Sequence, residues 1–411
     1  MDSKLVIISV LIFTTHAAPV QDKKLEQNSR KIILLWNSFF DSQDYDFGGF
    51  GDAPFKENNC EYTNCYLTKD HSSLLEASAI VFHAPTFNEP SQAWSVRLPH
   101  QRYVFFSMES PENCIAKKSY DFFFNWTITY RTDSDIIRFY GEIKKREIRI
   151  KKQFKNFTKN NWVAWMVSNC FTSSGREDYV KELSKHIPIE IYGDCGSSSC
   201  PKSRMKQCYE MIEKDYKFYL SFENSLCKDY VTEKLFNVLQ YDIIPVVYGT
   251  ADYDRILPAN SYINAMNHSP EELANILKEI GNDPSKYKKY LMWKEDYYVN
   301  FIMEPPFCKL CKKLHTDSEN KVYEDFKKWW VDGSKCRKGP VLHHSPVHSA
   351  SPPGSSLHHV AGFYIWILFF PCILTIHSFS FYVFFLFCFF FSFYPFLLCF
   401  LVFFSFYSFS F

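Results

Sequence analysis

Between Asn161 and Asn264, short apolar runs alternate with helix-like stretches, and this alternation restricts the fold more than any other feature of the chain. Trp162–Val167 reads as a strand. Gly175–Lys185 reads as a helix with Tyr179, Val180 and Leu183 on one face. Ile187–Tyr192 is a strand, Cys208–Glu213 helical and Tyr216–Phe222 a strand. A helix starts at Thr232, and Ile243–Tyr248 and Ser261–Asn264 follow as strands. Ser269 is placed as the N-cap of a further helix, with Pro270 at its first position. Such alternation builds a parallel, doubly wound sheet. Upstream, Lys31–Trp36, Ala79–His83 and Arg102–Ser107 are continuous apolar runs suited to buried strands, and Leu74–Ala77 reads as the end of a short helix. The basic run Lys144–Lys152 reads as a solvated linker or an exposed helix. The expected fold is α/β, with two Rossmann-like domains over 30–150 and 155–336 and a cleft between them.

Charge bounds the partners. The chain has 411 residues and a net charge of +1, which gives no footprint for nucleic acid. All 46 basic and 45 acidic residues lie at or before Lys338, so the globular part ends there. Residues 1–18 carry Lys4, the apolar run Leu5–Phe13 and small residues at Ala17 and Ala18. This is the layout of a signal peptide or, alternatively, of a short membrane anchor. Residues 339–360 are rich in Pro, Ser and His and read as a linker. Residues 361–411 are dominated by Phe, Ser, Leu, Tyr, Cys and Ile. Hydropathy reads one or two membrane spans there. The same composition is what translation of a T-rich non-coding stretch yields, so a gene-model artefact and a tail anchor are the two readings.

Eleven cysteines lie between Cys60 and Cys336, an odd number that leaves at least one unpaired within the chain. With the N-terminal segment and the sequons at Asn125, Asn156 and Asn267, they point to the secretory pathway.

The chemistry concentrates in residues 221–249, SFENSLCKDYVTEKLFNVLQYDIIPVVYG. A strand end at Phe222 and a helix start at Thr232 would present free backbone N–H groups and the positive end of a helix dipole, which is an anion site. Lys234 adds a charge suited to a phosphate, and Glu233 suits the hydroxyls of a ribose. The alternative is an ordinary helix start with a dipole-favoured Glu and an exposed Lys.

Tyr230-Val-Thr-Glu-Lys234, with Phe222-Glu-Asn-Ser before it and Ile244-Pro-Val-Val-Tyr-Gly249 after it, closely resembles the signature of the α1,3-fucosyltransferases, family 10 of the glycosyltransferases. Phe105–Pro111, Phe124–Ile136, Val167–Cys170, Ser174–Leu183 and the pair Cys308 and Cys311 resemble further motifs of that family in the expected order. The resemblance covers about residues 30–336. It implies a GT-B architecture with the acceptor mostly on the first domain and GDP-fucose on the second. It implies Glu109 as general base, Arg176 and Lys234 on the pyrophosphate, Glu233 on the ribose, and Asn224 and Tyr230 as further donor contacts. The expected activity is inverting transfer of L-fucose from GDP-β-L-fucose to a GlcNAc hydroxyl of a glycoprotein or oligosaccharide glycan, in the Golgi lumen at the membrane. The contrasting reading is an inactive sugar-nucleotide or glycan-binding module, against which Glu109, Arg176, Glu233 and Lys234 stand together.

Two short D-x-D strings, Asp133–Asp135 and Asp252–Asp254, could carry a divalent metal. The diphosphate already has Arg176 and Lys234, so no metal or other cofactor is expected to be essential, although Mn²⁺ could stimulate. Cys308 and Cys311 with His315 could suggest zinc, but a zinc site needs more ligands. In a secretory chain these cysteines are expected in disulfides, with Cys60 and Cys65 as candidate partners that would tie the chain ends together. Spacing does not settle the pairing.

Overall fold

The computed structural model describes residues 29–40, 42–87, 97–154 and 159–339, and the backbone alone of 385–389 and 398–402. The expectations for residues 1–18, for most of the linker and tail, and for Asn156 lie outside the described residues. In the tail, Phe385–Phe389 pairs antiparallel with Leu398–Val402. Among the described residues no helix is long and apolar enough to cross a membrane.

The first sheet contains β1 (Lys31–Leu35), β2 (Cys65–Thr68), β3 (Ala79–His83), β4 (Arg102–Ser107), β5 (Trp126–Thr129) and β6 (Ile136–Ile137), in the order β2-β1-β3-β4-β5-β6. Every neighbouring pair is parallel. β3 is buried at every position, which is why it reads as an unbroken apolar run; β5 is equally buried but alternates Trp126 and Ile128 with Thr127 and Thr129, and the sequence reading did not pick it out. The stretch read as a helix end at Leu74–Ala77 is instead a 3₁₀ turn over His71–Leu75, started by the Asp70 carboxylate accepting from Ser72 N.

The basic run holds a different structure from the one expected. Glu142–Lys145 is a strand, β7, and it pairs antiparallel with Tyr297–Asn300 far along the chain. Its partner strand has no signal in the local sequence, and the run alone looks merely solvated.

The second sheet contains β8 (Asn161–Met166), β9 (Ile189–Tyr192), β10 (Tyr216–Phe222), β11 (Ile244–Tyr248) and β12 (Ile263–Asn264), ordered β12-β11-β10-β8-β9 and again all parallel. Pro245 lies inside β11, where a missing N–H would break a two-sided ladder. It is tolerated because pairing with β12 begins only at Val246, so at Pro245 only β10 is a neighbour. Ser269 caps the helix Pro270–Asn282 as expected, and Glu272 reaches back to complete a capping box.

Counted from each sheet's first strand, the two orders are the same: the second strand lies outside the first, and the third and fourth on its other side. A ligand crevice in such a sheet opens where the order reverses, beyond the carboxyl ends of the first and third strands. These points are β1/β3 in the first sheet and β8/β10 in the second.

The chain does not leave the first sheet for good at residue 155. In the helices Pro306–Thr316 and Phe326–Trp330, the buried Phe307, Leu310, Phe326 and Trp330 all join the core of the first sheet. The buried Arg131 guanidinium donates to the carbonyls of Trp329 and Trp330 and to Ser334 Oγ, which satisfies the free C-terminal carbonyls of the last helix. Three disulfides reinforce the return: Cys60–Cys308, Cys65–Cys311 and Cys227–Cys336. Cys170–Cys195 and Cys200–Cys208 are local to the second half, and Cys114 is a buried free thiol.

Cys60–Cys308 and Cys65–Cys311 span 248 and 246 residues, nearly the same loop. Once either is closed, the other removes little further chain entropy. Replacing one pair by serines should therefore cost little, whereas replacing both should cost about 5 kcal/mol on the loop-entropy scale. Urea unfolding of the two single-pair variants and of the combined variant checks this; additive losses would contradict it.

Candidate active site

At the second switch point, β10 ends in Phe222 and the chain turns through Glu223 and Asn224 towards the helix Glu233–Leu239. Glu223 is buried, and its carboxylate accepts from Thr232 N at 2.8 Å and from Thr232 Oγ1 at 2.9 Å. This corrects the expectation of free N–H groups there. Thr232 N is taken by Glu223, and Thr232 Oγ1 caps Lys234 N at 3.4 Å. A fixed internal carboxylate thus occupies the start of a seven-residue helix.

That carboxylate decides where Lys234 goes. Lys234 Nζ lies 3.4 Å from Glu223 Oε2, 2.9 Å from Thr232 Oγ1 and 3.1 Å from Glu233 Oε1. Burial would discharge the ammonium, but the attraction of Glu223 and Glu233 outweighs it and raises its pKa above the ordinary lysine value. Burial likewise raises the Glu223 pKa, with Lys234 opposing. Glu233 is half exposed and, among the described residues, pairs only at its Lys234 side, which leaves it open to a ligand.

Arg176 opens the helix Arg176–Leu183, and Gly175 before it has φ +65°, a left-handed conformation that glycine adopts without strain. The Arg176 side chain is 3% exposed. It donates to Phe222 O at 2.7 Å, to Asn169 O at 2.9 Å and to Glu177 Oε1 at 3.0 Å. It therefore clamps the ends of β8 and β10 across the switch point. Its charge reaches the crevice through a low-dielectric interior, while its hydrogen bonds are spent on the scaffold.

From the first sheet comes Glu109, two residues past β4, in a turn where Glu109 N donates to Ser107 Oγ. Glu109 Oε2 accepts from Asn113 Nδ2 at 3.2 Å and from the Tyr230 hydroxyl at 3.4 Å. Tyr230 stands 121 residues later in the chain, so this contact joins the two halves of the site. One residue on, Ser110 Oγ donates to Ser225 Oγ at 2.7 Å in a buried second bridge. Asn224, expected as a donor contact, touches only Ser225 Oγ among the described residues. Tyr140, which donates to Met108 O at 2.6 Å, sits among Glu109, Glu223 and Glu233. Burial and then those carboxylates raise its pKa well above the phenol range.

The structure thus brings Glu109, Tyr230, Glu233 and Lys234 together, and holds Arg176 one layer behind them. Sequence reading missed Glu223, Asn113 and Tyr140. Glu223 had a signal: a lone carboxylate directly after a central strand is a candidate to be buried, and a buried carboxylate needs a partner.

Other candidates are reassigned. Asn125 is buried, and its amide accepts from Tyr103 N and donates to Lys321 O. The folded chain has no room for a glycan on it. Asn267 is exposed. Asp133 pairs with Arg131, and Asp135 accepts from Thr127, Lys321 and Tyr323. Asp254 accepts from Tyr262. Cys65, Cys311 and His315 lie close together, but both sulfurs are in one disulfide and cannot act as thiolate ligands.

Two parallel sheets of the same order, with Glu109 after the first sheet's β4 meeting Tyr230 of the second half, fit the GT-B class of glycosyltransferases. The family models agree: "Fucosyltransferase, N-terminal" matches residues 28–141 and "Glycosyltransferase family 10 (fucosyltransferase) C-term" matches residues 156–329. "Alpha-(1,3)-fucosyltransferase C" of Drosophila melanogaster is 36% identical over 343 residues, covering 75% of this chain and 79% of the relative. "Glycoprotein 3-alpha-L-fucosyltransferase A" of the same organism is 34% identical over 69% of this chain and 57% of its own length. A crystal structure of an alpha1,3-fucosyltransferase with GDP shares the fold at a TM-score of 0.50 and 14% identity, over 77% of this chain and 96% of that one. The chain belongs to glycosyltransferase family 10, the fucosyltransferases.

At the first switch point, His83 ends β3 inside a box of Phe39, Phe40, Tyr45 and Phe106. Its Nδ1 meets Thr86 Oγ1 at 2.8 Å, and among the described residues Nε2 is buried without a hydrogen-bond partner. Burial, with Arg138 nearby, lowers its pKa from 6.5 to about 4. The unfolded chain therefore binds one more proton than the folded one between these values. The stabilisation is complete above pH 6.5 and is lost as the pH falls through 4. His83→Gln should remove about 3 kcal/mol of that acid sensitivity. Urea midpoints at pH 7, 5.5 and 4.5 measure it, and parallel curves for both proteins would contradict it.

Proposed function

We propose that this chain is an inverting α1,3-fucosyltransferase that moves L-fucose from GDP-β-L-fucose to a GlcNAc hydroxyl of a glycoprotein glycan. The observation that carries the reading is the Glu109–Tyr230 contact. It sets a carboxylate of the first sheet against the Tyr-Val-Thr-Glu-Lys stretch of the second. The names of the relatives and the GDP bound to the structural neighbour support the substrate class.

In this mechanism Glu109 takes the proton of the acceptor hydroxyl as that oxygen bonds to C1 of fucose. The C1–O bond to the β-phosphate breaks, and its electron pair leaves on GDP. General-base assistance of this kind contributes about 10²–10⁴-fold. Lys234 and Arg176 stabilise the charge growing on the diphosphate, Lys234 directly and Arg176 through the field at the switch point. Glu233 holds the ribose, and Asn224 borders the donor. No metal is assigned to this step, because Lys234 and the field of Arg176 behind it supply the positive charge for the leaving group. The enzyme works in the Golgi lumen at the membrane.

Glu109→Gln is expected to keep GDP affinity while losing at least about 100-fold in turnover. GDP release with a core N-glycan and with N-acetyllactosamine, run side by side, measures the loss and names the acceptor. EDTA treatment is expected to leave most turnover; loss restored by Mn²⁺ would overturn the metal-free mechanism.

A further inference from the structure

The first switch point holds polar groups that the proposed reaction does not use. His83, at the end of β3, sits in its box of aromatic rings. Thr86 Oγ1 donates to Ser38 O at 2.8 Å and accepts from Asn37 Nδ2 at 2.7 Å, so towards His83 Nδ1 it can only accept. The ring proton is therefore on Nδ1, and Nε2 carries a bare lone pair. Among the described residues no donor reaches it, although His83 is fully buried.

Beside this box, Arg138 follows β6 directly. Its guanidinium lies 5.8 Å from the ring centre of Phe39 and 5.3 Å from that of Phe106. Arg138 Nη1 donates to Tyr45 O at a long 3.5 Å, and among the described residues no carboxylate lies within ion-pair distance of it. Arg131 and Arg176, by contrast, pair with carboxylates at 2.5 Å and 3.0 Å. Arg138 is only partly exposed, and burial lowers its pKa, with Asp46 opposing from farther away. A guanidinium drawn out of water with most of its N–H donors unmet is costly until an anion completes it.

Phe40 covers His83. Its ring stands edge-on at 4.7 Å, it is 50% exposed, and its backbone has φ +48°. A bulky residue in the left-handed region is strained, and such strain collects at ligand sites. An exposed ring suits the apolar face of a pyranose, a bare lone pair suits its hydroxyl, and a guanidinium suits its carboxylate. The position suits the acceptor. Phe106 stands three residues before Glu109, and Tyr140, two residues past Arg138, donates to Met108 O beside Glu109.

We propose that Arg138, Phe40 and His83 form a subsite for a carboxylate-bearing sugar of the acceptor glycan. Arg138 holds the carboxylate, Phe40 lies against the sugar ring, and a ring hydroxyl donates to His83 Nε2 once the strained turn at Phe40 shifts. The subsite binds and changes no bond. This inference rests on the reading of the chain as a fucosyltransferase whose acceptor lies on the first sheet.

The test follows binding of methyl β-D-glucuronide to the full chain by ligand-observed NMR, with saturating GDP so that the donor cations are occupied. The neutral methyl β-D-glucoside is the control. The glucuronide should bind about tenfold more tightly than the glucoside. It should compete with the acceptor that supports GDP release, and it should not displace GDP. This comparison on the unmodified chain needs no variant to fold. Arg138→Gln should bring the two sugars to within about twofold of each other, and Arg138→Lys should keep part of the preference, because lysine retains the charge without the planar fork. Equal binding of the two sugars would overturn the inference. So would a preference that survives in R138Q, or one that displaces GDP and not the acceptor. Acid-selective binding by a chain that transfers no fucose would sink the proposed activity and leave the sugar site. Fucose transfer without acid-selective binding would sink the site alone.

Discussion

The return of the C-terminal helices to the first sheet is the constraint on which the arrangement of the site depends. Trp330 is fully buried, donates its indole N–H to Cys114 O, and packs edge-on to Phe105 in the first core. Arg131 closes the end of its helix. From that anchored helix the chain reaches Cys336, which holds Cys227, and Arg337, whose N–H meets Leu226 O. The segment from Leu226 to Tyr230 is thus gripped from the side of the first domain, although it follows directly from a strand of the second. This grip presses Tyr230 against Glu109. A hinge between the two sheets at this point would have to break a disulfide or expose Tyr230, so relative motion must come from elsewhere in the cleft.

Within the second sheet, burial sorts the charges. Glu223 is removed from water and would cost several kcal/mol if left alone. The Thr232 backbone N–H, the Thr232 hydroxyl and the Lys234 ammonium offset that cost, and in doing so they orient Lys234. Arg176 behaves in the same way, with three hydrogen bonds into strand ends and a neighbour. Both cations are rigid before any ligand arrives. A charge that need not reorganise stabilises a growing diphosphate better than one on a mobile side chain.

Much of this was legible in the primary structure, for physical reasons that differ by element. Strands such as Lys31–Leu35, Ala79–His83 and Ile244–Tyr248 announced themselves because parallel strands covered on both faces are largely apolar, whereas Cys65–Thr68, Trp126–Thr129 and Ile136–Ile137 did not. The Ser269 cap was legible because its chemistry is local. The motif around Tyr230–Lys234 was recognisable as a string of residue types. The antiparallel pairing of Glu142–Lys145 with Tyr297–Asn300 was not, since strand partners so far apart in the chain leave no mark in either stretch. The burial of Asn125 was equally hidden: its sequon is a local pattern, whereas its partners Tyr103 and Lys321 are supplied by distant segments.

By itself the sequence determined the alternation of strands and helices, the odd number of cysteines from Cys60 to Cys336, and which residues could serve as base, cation and sugar ligand. Those properties are set by side-chain chemistry and by periodicities shorter than a helix. Only the tertiary structure decided that Glu109 and Tyr230 touch, that Glu223 rather than a free backbone N–H orients Lys234, and that Arg176 is bonded to the strand ends behind the crevice. Each of these depends on which segments the core brings together, and a contact across 121 residues is chosen by the packing of the whole core rather than by any stretch of the chain.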